Sequence, residues 1–165
     1  MRRTKCVVLI SALLLLVLLG ISLLYSTPIF YRTEQIDHAQ IQEFMESMYS
    51  NEILPGSEKV CCSVKLLGMD RNAIYLFMYT AEYYLENDML CSKNNEYSPV
   101  VLYVKFKNNQ IEIEGYKQPE DGANYGDSLS ELFPQSIIDQ IAELTYNDRE
   151  ALKAAADERA AELLK

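Results

Sequence analysis

The feature that most constrains this chain is an uncharged apolar stretch close to its N-terminus. Residues 6–25 are 20 residues without a charge, and their core from Leu13 to Leu19 is almost entirely leucine. An α-helix rises about 1.5 Å per residue, so this stretch would span about 30 Å, the thickness of a bilayer's hydrocarbon layer. The sequence therefore predicts a transmembrane helix over residues 6–25.

The residues at the end of this stretch favour an uncleaved signal-anchor over a removed signal peptide. A cleavable signal usually has a shorter apolar region, of about 7–15 residues, followed by small residues at the cleavage site. Here the bulky residues Leu23, Leu24 and Tyr25 stand where small ones are needed. We therefore expect the helix to remain in the membrane.

Basic residues on the two sides of the stretch predict its orientation. Arg2, Arg3 and Lys5 precede it, whereas only Arg32 follows closely. Because the more basic flank stays in the cytoplasm, we expect a single-pass protein of the cell membrane with a cytoplasmic N-terminus. The predicted organisation is a cytoplasmic tail (1–5), the anchor (6–25), a linker (26–32), an extracytoplasmic domain (33–146) and an Ala-rich C-terminal helix (147–165).

The exported part is strongly acidic. All 24 acidic residues lie beyond residue 25, together with 12 of the 15 basic ones, which gives that part a formal net charge of −12. Nucleic acids and anionic lipids bind clustered Lys and Arg, so the charge argues against both as partners. It either keeps the domain soluble or attracts a cationic partner, such as a basic peptide, a basic protein face or calcium.

The periodicity of the exported part predicts one helix, four strands and further helices. Thr33 or Asp37 is suited to cap a helix that ends near Tyr49. In the alternating run after Lys59, Val60, Cys62, Val64 and Leu66 share one face, which points Cys62 inward and Cys61 outward. The run Ala73–Tyr84 is apolar on both sides, as in a central strand covered on both faces or a strand with an exposed aromatic face.

A hairpin is predicted at Asn108-Asn109, because both residues tolerate positive φ and alternating runs flank them. Its register pairs residues as follows: Phe106 with Ile111, Lys105 with Glu112, Val104 with Ile113, Tyr103 with Glu114 and Leu102 with Gly115. One face of the hairpin is then apolar and the other solvated.

Turns and helices are predicted after the hairpin. Pro119–Asp127 is expected to form a turn-rich loop, and Pro134 suits the first turn of a helix that reaches Leu144. Asp148 is expected to cap a helix over Arg149–Leu164. Its apolar stripe is narrow, so the sequence does not decide whether the helix docks on the domain (Leu152, Ala155, Ala156, Leu163). The prediction is an α+β domain with helices on one face of a four-stranded antiparallel sheet.

The cysteines leave two alternatives open. Cys61, Cys62 and Cys91 lie in the part predicted to be outside, where disulfides persist. Since neighbouring cysteines rarely bridge each other, Cys91 would pair with Cys61 or Cys62 and leave the third thiol free. The alternative is three reduced structural thiols.

No catalytic residue, cofactor or metal is predicted. His38 is the only histidine and is expected on the surface of the first helix, and the usual hydrolase motifs are missing. One alternative is an envelope hydrolase that uses carboxylates near Asp121 and Asp127. Another is a calcium-responsive domain, although Ala123 and Tyr125 stand where a calcium loop requires Asp or Asn.

Tyrosines are the remaining candidates for a binding site. The chain has 12 Tyr, 5 Phe and no Trp, and Tyr offers a large contact area with a polar tip. The candidate binding residues are Tyr75, Tyr79, Tyr83, Tyr103, Asp121, Tyr125 and Asp127. The alternative is that the tyrosines pack under the helices. The leading hypothesis is a non-catalytic tethered domain that binds a protein or peptide partner with a basic surface.

Three short segments carry a family resemblance. They are Tyr97-Ser98-Pro99-Val100-Val101-Leu102, Pro119-Glu120-Asp121-Gly122 with Tyr125 following, and Leu132-Phe133-Pro134. In these the chain resembles small membrane-anchored or exported proteins of Gram-positive-type bacteria, over roughly residues 59–144. The resemblance implies a bacterial surface setting and carries over no catalytic or binding residue.

Overall fold

A computed structural model describes residues 37–50, 58–107 and 110–164, without the side chains of Phe106 and Gln110. One helix precedes a sheet of four antiparallel strands in the order β1-β2-β3-β4, and further helices follow it. The elements are α1 (His38–Ser50), β1 (Lys59–Met69), β2 (Ala73–Glu86), β3 (Met89–Lys107), β4 (Gln110–Lys117), a 3-10 turn (Gly122–Asn124), α2 (Tyr125–Leu132), α3 (Gln135–Ala142) and α4 (Tyr146–Leu163). The predicted α+β class and four-stranded antiparallel sheet are confirmed.

The predicted tail, anchor and linker fall outside the described residues, as do Thr33 and the hairpin loop at Asn108-Asn109. Within the described part of the chain, no helix is both long and apolar enough to cross a membrane. The transmembrane anchor over residues 6–25 therefore stays a prediction.

Strand β2 lies at the centre of the fold and is buried on both sides. Ile74, Leu76 and Met78 point to one face of the sheet, and Tyr75 and Phe77 point to the other. All five are at most 6% exposed. Of the two readings of this run, the covered central strand is the one that the structure adopts, and both faces of the sheet need a layer above them.

Helices supply both layers, so the prediction that they lie on one face was wrong. Helix α1 covers one face, here called the α1 face, through Ile41 and Met45. Helices α2, α3 and α4 cover the opposite α4 face through Phe133, Ile137 and Leu152, among others. A strand that is apolar on both sides cannot leave one side in water without exposing a row of large side chains.

Burial on both faces also corrects the orientation of the adjacent cysteines. Cys62 packs on the α1 face as predicted, whereas Cys61 points into the α4-face core instead of into solvent. Both residues are 0% exposed. The alternation of side chains was right, and only the assumption that the second face is open was wrong.

The hairpin between β3 and β4 has the predicted register at its tip and a bulge further on. Lys105 pairs with Glu112 and Val104 with Ile113, as predicted. The register then shifts, so that Tyr103 pairs with Gly115 and Leu102 with Tyr116. Glu114 is the extra residue of this β-bulge, and its carboxylate accepts the ion pair from Lys105 Nζ. The two predicted pairs beyond Ile113 were therefore wrong.

Local capping sets the starts of the helices. The Asp37 carboxylate accepts a hydrogen bond from the backbone N–H of Ala39 at 2.9 Å, as predicted for a cap of α1. Pro134 takes the N-cap position of α3. At α4 the cap is Thr145, and Asp148 is the third helical residue of a capping box. The prediction that Asp148 is the cap placed the start of this helix three residues too late.

The segment predicted as a turn-rich loop is partly helical. A 3-10 turn covers Gly122–Asn124, and α2 begins directly after it at Tyr125. Gly122 has φ of +73°, which a residue without a side chain adopts at little cost. Helix α2 has 8 residues and no caps by side chains, so its start carries few sequence signals.

Helix α4 is docked closely on the sheet. Leu152, Ala156 and Ala160 recur every fourth residue and are at most 7% exposed. Of the predicted stripe, Ala155 and Leu163 are instead exposed. Small alanines at the contact allow the helix backbone to lie close to the strands, so a thin apolar stripe is enough for docking.

A clamp of polar side chains joins the two helical layers across the outer edge of β1. Glu46 of α1 pairs with Arg159 of α4 at 3.1 Å, and the Cys62 backbone N–H donates to the Glu46 carboxylate at 3.4 Å. Beside it, Gln42 Nε2 donates to the Cys62 carbonyl oxygen at 2.6 Å. The edge strand thus bonds to side chains where another strand would otherwise add.

We expect Ala156→Leu to destabilise the protein, because the larger side chain would overpack the contact between α4 and the sheet. The expected loss in free energy of unfolding is about 1–3 kcal/mol. Ala154→Leu, which adds the same volume at an exposed position of the same helix, should change it by less than about 0.5 kcal/mol. Urea unfolding of the full chain in a non-ionic detergent measures both, and equal effects would mean that α4 does not dock closely.

We expect Glu46→Gln to weaken the clamp by about 1–3 kcal/mol, because it removes the charged acceptor of Arg159 and of the Cys62 N–H. Glu43→Gln, one turn earlier and exposed on α1, is the matched control and should stay within about 0.5 kcal/mol. The same urea titration compares the two variants. A Glu46→Gln protein as stable as the control would show that the clamp does not join the layers energetically.

Candidate functional site

Three of the predicted binding tyrosines are core residues instead. Tyr75, Tyr79 and Tyr83 lie under the helices of the α4 face and are 6%, 1% and 1% exposed. The Tyr75 hydroxyl donates to Asp70 and the Tyr83 hydroxyl to Asp157, each at 2.7 Å. Burial, reinforced by these carboxylates, raises the pKa of both phenols and keeps them protonated as donors. They therefore hold the sheet to its turn and to α4.

The other predicted binding residues are exposed and lie apart from these tyrosines. Tyr103 projects from β3 and is 37% exposed, and Tyr125 begins α2 and is 39% exposed. Asp121 precedes the 3-10 turn, and Asp127 lies in the first turn of α2, where a negative charge stabilises the helix. The structure thus does not bring the seven predicted residues together in one groove.

The structure adds no support to the hydrolase and calcium hypotheses, which depend on Asp121 and Asp127. Both side chains are exposed. In residues 37–50, 58–107 and 110–164, no group of three or more His, Cys, Asp and Glu side chains is arranged to hold a metal ion. The hydrolase and calcium readings therefore stay predictions from the sequence. His38 is exposed at the start of α1, on the helix surface as predicted.

The three cysteines of the described chain are free thiols. Cys91 lies on β3 opposite Tyr84, whereas Cys61 lies on β1 opposite Ala81. Two strand spacings separate β1 from β3 by about 10 Å, while a disulfide needs Cα atoms within about 7 Å. The predicted bridge from Cys91 to Cys61 or Cys62 is therefore not formed. Burial raises the pKa of Cys61 to about 11 and that of Cys62 further still.

A groove runs between α1 and the edge strand β4. Its volume is 740 Å³, and its walls come from α1 and from both strands of the hairpin (Gln40, Glu43, Phe44, Lys107, Ile111, Glu112, Ile113). In the described chain β4 has a strand neighbour on one side only. Gln40 Nε2 donates to the Ile111 carbonyl oxygen at 3.2 Å, which shows that this carbonyl points away from β3.

Backbone alternation then identifies the open bonding groups of β4. In an antiparallel pair, every second residue directs both its N–H and its C=O to the same side. Since the Ile111 carbonyl points outward, Ile113 also directs its N–H and C=O to the open edge. Both isoleucine side chains face the α1 side, and Glu112 faces the opposite side of the sheet. An extended chain could therefore bond to β4 and contact α1 at once.

A second, smaller cavity opens on the α1 face near the C-terminal end of α1. It has a volume of 270 Å³ and lies beside a β-bulge between β2 and β3. At this bulge the strand partner changes from Glu96, opposite Thr80, to Lys93, opposite Glu82. Asn94 has φ of +50° in the bulge, a conformation that Asn tolerates better than most residues.

Comparison with known proteins does not extend this description. No family model, no curated protein and no solved structure matches the chain. The resemblance to small anchored or exported bacterial proteins therefore stays a prediction.

Sequence reasoning missed the residues of both openings for different reasons. The groove had a signal, since a hairpin predicted as the last two strands leaves β4 at an edge of the sheet. Gln40 carried none, because a polar helix residue is normally solvated. For the cavity, the weak strand formers Asn94 and Asn95 inside β3 were the available sign of a bulge.

Cys91 should be the reactive thiol of the described chain. Its side chain is partly exposed, whereas Cys61 and Cys62 are buried. At a pKa of about 11 only about one Cys61 in a thousand is a thiolate at pH 8. We expect iodoacetamide to modify Cys91 at least about tenfold faster at pH 8, as measured by peptide mass spectrometry. The rate at Cys61 should rise only as the pH approaches 11.

Urea-unfolded protein is the control for this comparison, since all three thiols should then react at similar rates. Equal rates in the folded protein, or a peptide that links Cys91 to Cys61 or Cys62, would contradict the buried-thiol arrangement.

Proposed function

We propose that this protein is a membrane-tethered, non-catalytic binding protein of the cell envelope. Its partner is a protein or peptide whose extended, basic segment adds to the open edge of β4. The proposal combines the predicted anchor, the acidic exported part and the groove between α1 and β4. The anchor restricts where the partner is met, the acidic charge restricts the partner's charge, and the groove restricts the partner's conformation.

The observation that carries the proposal is the hydrogen bond from Gln40 to the Ile111 carbonyl. A side-chain amide occupies the place of the backbone N–H that an added strand would supply. The Gln40 amide is at the end of a flexible side chain of an exposed residue, so a partner can displace it, whereas the bond from the Cys62 N–H to Glu46 at the β1 edge is buried. Strand addition at β4 would replace one such bond with several backbone bonds.

Side chains around the groove favour basic residues in the partner. Glu43 and Glu112 line the groove with Lys107 as the one cation among its lining residues. Glu114 follows on the same side of β4 as Glu112, although Lys105 already pairs with it. Phe44, Ile111 and Ile113 supply apolar contact on the α1 side. An alternating segment would therefore place apolar side chains towards α1 and basic ones towards Glu112 on the other side of the sheet.

The tether restricts where such a partner could be met. If residues 6–25 hold the chain in the membrane as predicted, the groove lies within a short linker's reach of the bilayer surface. This favours partners that are themselves in or on the membrane, or that pass through the envelope. Holding both proteins at one membrane also raises their effective concentration, so that a weak interaction is sufficient for binding.

Peptides of defined pattern test the proposal. The full chain in maltoside micelles is titrated with the labelled peptides Lys-Val-Lys-Val-Lys-Val and Glu-Val-Glu-Val-Glu-Val, and binding is followed by fluorescence anisotropy. We expect the basic peptide to bind at least about tenfold more tightly, a difference of about 1.4 kcal/mol. Equal binding of the two peptides would contradict the predicted charge preference.

Two variants connect this binding to the edge of β4. Ile113→Pro removes an N–H that points away from β3, so it should weaken binding at least about tenfold while the sheet remains paired. Ile113→Val is the matched control and should bind normally. Gln40→Ala should strengthen binding, because it removes the competing donor. Unchanged binding by Ile113→Pro would place the peptide elsewhere and sink the strand-addition model.

A further inference from the structure

A buried hydroxyl lies beside the β2–β3 bulge. Thr80 lines the cavity there and is 8% exposed, and its Oγ1 has no hydrogen-bond partner among the residues that the structure describes. A buried hydroxyl without a partner is unfavourable, because it has lost its bonds to water and gained none. The position therefore favours any ligand that can supply a hydrogen bond there.

Alternation along β2 shows that the Thr80 side chain points to the α1 face. Leu76 and Met78 belong to the core under α1, and Thr80 follows at the next position of the same period. Ala81 and Tyr83 point to the opposite face, into the α4-face core. Helix α1 ends at Ser50, so the cavity begins where this helix no longer covers the sheet.

Two carboxylates lie next to the hydroxyl. Glu96 is the cross-strand partner of Thr80, which places the two side chains beside each other on one face. Glu82 lines the same cavity beyond the bulge. It accepts a hydrogen bond from the Asn94 side-chain amide at 3.1 Å, and Lys93 Nζ lies 3.6 Å away. Within the described chain, Glu96 forms no ion pair.

An ammonium group already approaches this cluster from outside the cavity. Lys93 Nζ binds Glu58 at 2.7 Å and also contacts Glu82, so it is held at the rim. Lys93 therefore neutralises Glu58 and Glu82. Glu96, the cross-strand partner of Thr80, has no counter-ion in the described chain. Three carboxylates thus share one lysine, and the cavity beside them has the volume to hold a second cation.

The remaining walls match an alkyl chain that ends in a charge. Val60 supplies apolar surface, and Tyr49 forms part of the lining. Burial raises the pKa of Tyr49, and the nearby Glu96 carboxylate adds to this, so the phenol stays neutral. A neutral aromatic ring also attracts a cation placed over its face. The volume of 270 Å³ is larger than a single water requires.

We propose that this cavity binds a primary ammonium group on an alkyl chain. The ammonium has three N–H donors and no acceptor, and the cavity offers the Thr80 hydroxyl oxygen and the carboxylates of Glu96 and Glu82 as acceptors. The source is either a lysine side chain of a protein or a free alkylamine, which share this chemistry. The site does not depend on the β4 edge, so it stands or falls separately from strand addition.

The test uses the full chain in maltoside micelles, a detergent without an ammonium headgroup. The probes are N-acetyl-lysine methylamide and n-butylamine, with N-acetyl-norleucine methylamide and n-butanol as neutral counterparts. Binding is followed by the NMR signals of the labelled Val60 methyl groups, which line the cavity. We expect saturable shifts with at least one ammonium probe and at least tenfold weaker binding of its neutral counterpart.

The pattern among the probes also identifies the source of the ammonium. Binding of both cations supports the site and indicates that the amine alone is recognised. Binding of the lysine derivative alone supports the site and indicates a protein ligand. Equal shifts by the charged and neutral probes, or no saturable shift with either amine, would overturn the proposal.

Variants locate the binding within the cavity. Glu96→Gln should weaken ammonium binding at least tenfold, because it removes the unpaired carboxylate. Glu131→Gln makes the same charge change on α2, outside this cavity and away from β4, and should leave ammonium binding within twofold. Thr80→Val removes the hydroxyl at almost constant shape, and Thr80→Ser keeps it, so the first should weaken binding and the second should not. Equal affinities of the two glutamine variants would overturn the site.

Discussion

The constraint on which the structure depends is the burial of β2 on both of its faces. A strand with Ile74, Leu76 and Met78 on one side and Tyr75, Phe77 and Tyr79 on the other cannot expose either side without a large hydrophobic cost. One helical layer comes from the segment before the sheet and the other from the segments after it. The Glu46–Arg159 pair joins these layers across the outer edge of β1. The sheet, both helical layers and the closed edge therefore follow from one strand.

The two edges of the sheet differ as a result. At β1, Gln42 and Glu46 of α1 bond to the backbone C=O and N–H of Cys62. The Ser63 hydroxyl of β1 also donates to the Leu152 carbonyl oxygen of α4 at 2.6 Å. Among the described helices α1 flanks β4, and its Gln40 supplies one bond. An edge strand with free backbone groups invites pairing with another chain. This asymmetry, more than any single residue, is the reason for placing the proposed binding surface at β4.

Sequence patterns predicted the strands and their faces well, and the surroundings of the strands poorly. The period of two in β1 and β2 fixed which residues share a face, and the Asn108-Asn109 turn fixed the register near the hairpin tip. One extra residue inverts the alternation of faces, but both bulges were missed, because Gly115 has no side chain to show the change and residues 92–96 are polar on both faces. Helix α4 was hard to judge because alanine is weakly hydrophobic, and its docking depends on close approach to the sheet. The sequence left open whether the tyrosines pack or bind, because their amphipathic side chains suit a core with a buried partner as well as a binding surface.

The position of α4 in the chain has a consequence for how the domain is made. Leu152, Ala156 and Ala160 belong to the last helix described, yet they complete the core of the α4 face over β1 and β2. Synthesis runs from the N-terminus, so β2 and its buried tyrosines are made before α4. The sheet then has a large apolar face open to water until the last residues are added. During that interval the nascent domain is accessible to chaperones and proteases, and the arrival of α4 ends this exposure.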